Sequence, residues 1–142
     1  QTRLPLGGTV LITVSDKDKP EAVEVAKEFA EAGFRILASK HTCRMLNEAG
    51  IQAESVNKLQ EGRPNMLDLI TNGEIDLIIN SPVEKERKMD DSYLRKAAVK
   101  KKVPYVTTMA AAKATISGIR FVKEHGSSGV ESLQEYHSEI TQ

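Results

Sequence analysis

The chain has 142 residues, with 20 Lys and Arg balanced by 20 Asp and Glu, no Trp and 4% aromatic residues. That length suits one domain with its own core, and the charge balance excludes a global field aimed at nucleic acid or membrane. The scarcity of rings argues against a base-stacking single-strand binder. The single cysteine, Cys43, excludes a disulfide framework and fits a reducing cytoplasm. Apolar runs of five or six residues are too short to span a bilayer, and the start of the chain has no signal-peptide h-region.

From the N-terminus, Gln1–Leu6 reads as a linker stub, so the domain is expected over residues 7–142. The first apolar run, Thr9–Val14, gives out into Ser15-Asp16-Lys17-Asp18-Lys19. A helix over Lys19–Ala32 follows, with Ala22, Ala26, Phe29 and Ala30 at helical spacing, Pro20 in its first turn and Gly33 ending it. The second run, Phe34–Ala38, exits into Ser39-Lys40-His41-Thr42, and Thr42, Met45, Leu46 and Ala49 mark a helix stopped by Gly50. Gln52–Val56 exits into Asn57-Lys58, and Pro64 opens a shorter helix over Asn65–Thr71, closed by Asn72-Gly73. Ile75–Ile79 exits into Asn80-Ser81, and Val83–Met89 reads as a charge-rich loop. Ser92–Lys102 is a helix whose Lys100-Lys101-Lys102 end complements the dipole. Pro104–Val106 exits into Thr107-Thr108, and Thr108–Glu124 is the last helix.

Strict alternation of this kind predicts an α/β domain: a single Rossmann-like three-layer unit, a five-stranded parallel sheet with helices on both faces. In such a sheet all five exits share one edge, because each crossover helix carries the chain back before the next strand. A rim of hydroxyls, amides and lysines beside helix N-termini suits a phosphate-bearing small molecule.

Several segments carry a resemblance. Thr13-Val14-Ser15-Asp16-Lys17-Asp18-Lys19, Glu31-Ala32-Gly33-Phe34, Val56-Asn57-Lys58 with Glu61-Gly62-Arg63-Pro64, Ile78-Ile79-Asn80 and the tail Val130–His137 resemble the C-terminal allosteric domain of the carbamoyl-phosphate synthetase large subunit. That domain has the methylglyoxal synthase-like fold. The resemblance implies a segment of a larger ligase of pyrimidine and arginine biosynthesis, itself non-catalytic and without a cofactor. It implies a nucleotide monophosphate effector, UMP as inhibitor or IMP as activator in bacterial members. The implied partners are the remaining domains of the large subunit and the glutaminase small subunit, with self-association through this domain compatible with it.

Carried over position by position, the resemblance implies that the effector's phosphate sits among Lys19, Ser39, Thr42, Lys58, Asn80 and Ser81, with an ornithine response near Thr107. Elementary chemistry agrees, since two lysines supply charge and two hydroxyl residues supply short donors beside a helix start. Two positions depart from the family pattern: His41 replaces a small glycine between the two hydroxyl residues, and Pro82 replaces a threonine. Pro82 offers neither hydroxyl nor N–H. A protonated His41 would add a phosphate donor.

Each assignment has a structural competitor. Ser39, Thr42 and Asn80 are equally residues that cap helices and close turns. Lys17 and Lys40 fit solvated surface, and Arg63 either reaches the phosphate or pairs with Glu61. Cys43 fits a buried inert thiol, and His125 and His137 fit helix-end surface positions. The rival function is a methylglyoxal synthase-like lyase acting on a triose phosphate. Its carboxylates are expected in the turn after the third strand and after the fourth, where this chain has Gln60-Glu61-Gly62-Arg63-Pro64-Asn65 and Asn80-Ser81-Pro82, so Glu61 stands without a partner acid. A module that binds protein and no small molecule is the third reading. No histidine or cysteine pair stands at metal-ligand spacing, and no Walker or dinucleotide glycine loop is present.

Overall fold

A computed structural model describes residues 5–58, 61–81 and 88–125. The elements are β1 Thr9–Thr13, a 3-10 turn Asp16–Asp18, α1 Lys19–Glu31, β2 Arg35–Ser39, α2 Lys40–Glu48, β3 Glu54–Val56, α3 Met66–Thr71, β4 Leu77–Asn80, α4 Lys88–Lys100, β5 Tyr105–Val106 and α5 Met109–His125. The five strands form one sheet in the order β3-β2-β1-β4-β5, and every pairing is parallel.

The period-2 alternation of the strands sorts the core into two layers. Val10, Ile12, Ile36, Ala38, Leu77 and Ile79 face a layer built by Ala22, Val25, Ala26 and Phe29 of α1, Cys43 and Leu46 of α2, and Met109, Ala112, Ile116 and Ile119 of α5. Leu11, Leu37, Val56 and Ile78 face Met66 and Ile70 of α3 and Leu94 and Ala98 of α4. Phe29 meets Phe34 edge-to-face with ring centroids 5.1 Å apart, a geometry the ring quadrupole favours. Cys43 is buried in the first layer, its Sγ 3.4 Å from the Ala53 carbonyl.

Element ends refine the expectations. α2 begins at Lys40 instead of near Thr42, so His41 and Thr42 lie inside its first turn. Pro64 precedes the third helix, whose N-cap is Asn65: its Oδ1 accepts from the Asp68 N–H at 3.1 Å, while Asp68 Oδ2 accepts from the Asn65 N–H at 2.8 Å. α4 starts at Lys88, so the end of the expected 83–89 loop is helical. Pro82, the rest of that loop, the residues 1–4 of the linker stub, His137 and the 130–137 tail lie outside the described residues.

On the first layer, α1 and α5 are laced together from outside. Lys113 Nζ lies 2.8 Å from Glu21, and Arg120 lies 3.8 Å from Glu28 and 3.5 Å from Glu31. These pairs are solvent-exposed and contribute little individually.

Candidate functional site

Parallel register brings the five exits to one edge. Ser39 stands opposite Val56, Thr13 opposite Asn80 and Ile79 opposite Val106, so Ser15, Ser39, Asn57, Asn80 and Thr107 line the same rim. The chain runs outward from β1 to β3 in one direction and then crosses back to β4 and β5, which makes the gap between β1 and β4 the point where strand order reverses. In open α/β sheets ligands bind at such a point.

That gap is tied shut at its base. The Ser15 N–H donates to Ser81 Oγ at 2.8 Å, and the Ser81 N–H donates to the Thr13 carbonyl at 3.0 Å. Asn80 is buried; its Oδ1 accepts from the Thr13 hydroxyl and its Nδ2 donates to the Tyr105 hydroxyl at 2.6 Å. Asn80 and Ser81 therefore both sit on the rim, with polar atoms committed to joining β1, β4 and β5.

The hydroxyl pair lies beside that tie. Ser39 ends β2 and Thr42 occupies the first turn of α2, both buried, and Ser39 Oγ donates to Thr42 Oγ1 at 3.1 Å. Ser39 is the N-cap of α2, yet its side chain makes no cap bond. Its hydroxyl goes to Thr42 and leaves the first-turn N–H groups without a side-chain cap, the arrangement that receives an anion.

Lys19, at the start of α1, has its stem packed so that the side chain is only 13% exposed, while its ammonium pairs with Asp16, a carboxylate 90% exposed. His41 Nε2 lies 3.9 Å from the same carboxylate. Asp16 thus stands between two groups suggested for the phosphate, a role the sequence reading did not give it. The three-residue spacing from Asp16 to Lys19 was the available signal.

Lys58 is half-buried just past β3. Its backbone N–H donates to Glu61 Oε1 at 2.7 Å and its carbonyl accepts from the Glu61 N–H at 3.0 Å. Asn57 closes the same loop, its Nδ2 donating to the Pro64 carbonyl at 3.1 Å and its carbonyl accepting from the Met66 N–H at 2.9 Å. Arg63 does not pair with Glu61. It grips Asp68 with two bonds, Nη2 to Oδ1 at 2.7 Å and Nε to Oδ2 at 3.1 Å, and this contact holds the Asp68 carboxyl below its ordinary range. The capping box at Asn65 fixes Asp68 in place, which is why Arg63 finds it first.

Thr107 follows β5 at the rim, half-buried, next to Thr108, whose Oγ1 caps α5 by accepting from the Ala111 N–H at 3.0 Å. Lys17, Lys40 and His125 are exposed. A separate groove of about 440 Å³ beside α2 and β3 is lined by Lys40, Cys43, Arg44, Asn47, Glu48 and Ser55, and takes in none of Lys19, Ser39, Thr42 or Lys58. Among the described residues, no cluster of His, Cys, Asp or Glu is arranged to hold a metal, and no helix is long and apolar enough to cross a membrane.

Residues 21–107 match the MGS-like domain, and the chain belongs to that family. Its relatives identify the setting. It is 50% identical over 135 residues, 94% of its length, to the carbamoyl phosphate synthase large chain, C-terminal section, of Methanopyrus kandleri, and 46% identical over 140 residues to the section of the same name from Aquifex aeolicus. Against the carbamoyl phosphate synthase large chain of Nostoc sp. it is 44% identical over 134 residues. The chain spans 25% and 26% of the first two relatives and 12% of the third. Among solved structures, methylglyoxal synthase from Elizabethkingia anophelis NUHP1 superposes with a TM-score of 0.63 over 80% of each chain at 18% identity, a likeness of fold.

Proposed function

We propose that this chain is the regulatory segment of a carbamoyl-phosphate synthase large chain, and that its strand-end rim binds a nucleoside monophosphate of the UMP or IMP class. On this reading it makes no carbamoyl phosphate itself. It works in the cytoplasm, beside the remaining domains and the glutaminase subunit, and shifts the enzyme's activity in pyrimidine and arginine biosynthesis.

One observation carries the proposal: the buried Ser39–Thr42 hydroxyl pair at the uncapped start of α2. A buried hydroxyl pair beside first-turn N–H groups is costly unless something polar completes it, and a phosphate oxygen does so with charge-assisted bonds. Lys19 and His41 meet at Asp16, and His41 shares the first turn of α2 with Thr42. The Asp16 carboxylate is exposed, so an arriving phosphate can compete with it for the Lys19 ammonium. Lyase chemistry receives no such support: the Glu61 carboxylate is occupied with the Lys58 N–H.

Thermal melting of this chain with UMP, IMP and the matching nucleosides tests the reading. A monophosphate at a hundred times its dissociation constant should stabilise the fold by about 2.7 kcal/mol, whereas uridine and inosine should leave the melting temperature in place. Equal shifts from nucleoside and nucleotide, or none from either, would refute a phosphate site.

A further inference from the structure

Four helices return to the sheet through the same closure. At each C-terminal end one N–H reaches back three residues and the next reaches back five: Gly33 to Ala30 and Phe34 to Phe29, Gly50 to Asn47 and Ile51 to Leu46, Gly73 to Ile70 and Glu74 to Leu69, Lys102 to Val99 and Val103 to Ala98. The motif puts the residue past the helix in the left-handed region, which favours glycine because it lacks a β-carbon. Three of the four closures use glycine, at φ +94°, +88° and +78°. The fourth uses Lys102 at φ +59°, the one non-glycine residue with positive φ among those described. Strain of this kind persists where a requirement other than the fold's own stability keeps the residue.

The surroundings of Lys102 indicate that requirement. Residues 92–104 hold five cations, Arg95, Lys96, Lys100, Lys101 and Lys102, and no carboxylate, in a chain whose charges otherwise balance 20 to 20. Among the described residues no carboxylate pairs with Lys96, Lys100, Lys101 or Lys102. Compensation of the helix dipole accounts for only part of the cluster: of the five cations Lys100 alone lies in the last turn of α4, as Lys123 and His125 do in α5, while α1, α2 and α3 have no basic residue there. Val99, which shares a helix face with Arg95 and Lys96, is 70% exposed, more than any other large hydrophobic residue described.

We infer that the C-terminal end of α4, at the sheet edge opposite the phosphate rim, is a docking surface for an acidic protein face that offers Val99 an apolar contact. The occupant is carried by the rest of the larger chain, and this inference rests on the reading that the sequence works as one segment of such a protein. An apolar centre ringed by charge is the anatomy of a protein interface. The sign of the ring selects an acidic partner and orients its approach. A nucleic-acid site calls for a longer basic stripe that follows several phosphates. Lysine at position 102 then extends the ring by one charge, at a cost in the free segment's stability.

The test is zero-length carbodiimide cross-linking of the full-length protein carrying this sequence, read by peptide mass spectrometry. Links from Lys96, Lys100, Lys101 or Lys102 to Asp or Glu outside residues 1–142 are expected, and they should be lost in a Lys96→Glu, Lys100→Glu, Lys101→Glu variant. Lys102→Gly should weaken the same links while raising the melting temperature of the isolated chain by a few degrees, a pairing that a merely structural lysine would not produce. Links confined to carboxylates within residues 1–142, or none at all, would overturn the inference. So would protection of these lysines from acylation that disappears on nuclease treatment, which would assign the patch to nucleic acid. No nucleotide enters the measurement. A protein that cross-links but binds no nucleotide loses only the regulatory reading, and one that binds nucleotide without cross-linking loses only this one.

Discussion

Lys58→Ala should weaken UMP or IMP binding by roughly ten- to a hundredfold, because it deletes a charge-assisted contact worth about 1.5–3 kcal/mol. Stability should change by about 1 kcal/mol or less, within the ordinary range for a position outside the core. The reason lies in how the residue is held. Its loop is closed by its own backbone N–H to Glu61 and by Asn57 to Pro64 and Met66, and none of these bonds needs the ammonium. Calorimetry on the variant, with a melting curve beside it, separates the two effects. A drop in melting temperature with nucleotide affinity intact would make Lys58 a structural residue and remove it from the site.

Asn80→Ala is expected to behave in the opposite way. Asn80 is buried and its amide joins three strands, accepting from Thr13 on β1 and donating to Tyr105 on β5. Truncation deletes both bonds and opens a void at a buried position, and a lost buried hydrogen-bond partner costs about 1–3 kcal/mol. A loss of about 2 kcal/mol or more in unfolding free energy is the expected result, with nucleotide affinity falling only as far as the rim loosens. Denaturant melts on the wild type and the variant check it. A variant as stable as the wild type that has lost nucleotide binding would make Asn80 a direct ligand contact.

The architecture was legible because a parallel sheet buried on both faces writes itself as short continuous apolar runs, and Val10-Leu11-Ile12 and Leu77-Ile78-Ile79 are such runs. The common edge of the exits followed from topology alone. What the sequence withheld was the use made of each side chain there. The link from Thr13 through Asn80 to Tyr105 spans separations of 67 and 25 residues, and no local pattern announces it. Arg63 had Glu61 two residues away and Asp68 five residues away, and only the capping box shows which carboxylate is presented to it. In the sequence Asp16 looks like surface charge, as any acid at a phosphate rim does. The structure makes it the counter-ion that Lys19 holds. The apolar pattern places the start of α2 near Thr42 because Lys40 and His41 carry no apolar signal, although the earlier start is what gives Ser39 the cap position.

The most direct test of the central claim is an amide NMR titration of the ¹⁵N-labelled chain with UMP. The largest shifts are expected on the Ser39–Thr42 stretch, with Lys19 and Lys58 following in parallel and the Lys100–Lys102 stretch at the opposite edge unmoved. Saturable shifts centred anywhere else in the fold, or a spectrum unchanged at millimolar UMP and IMP, would contradict it.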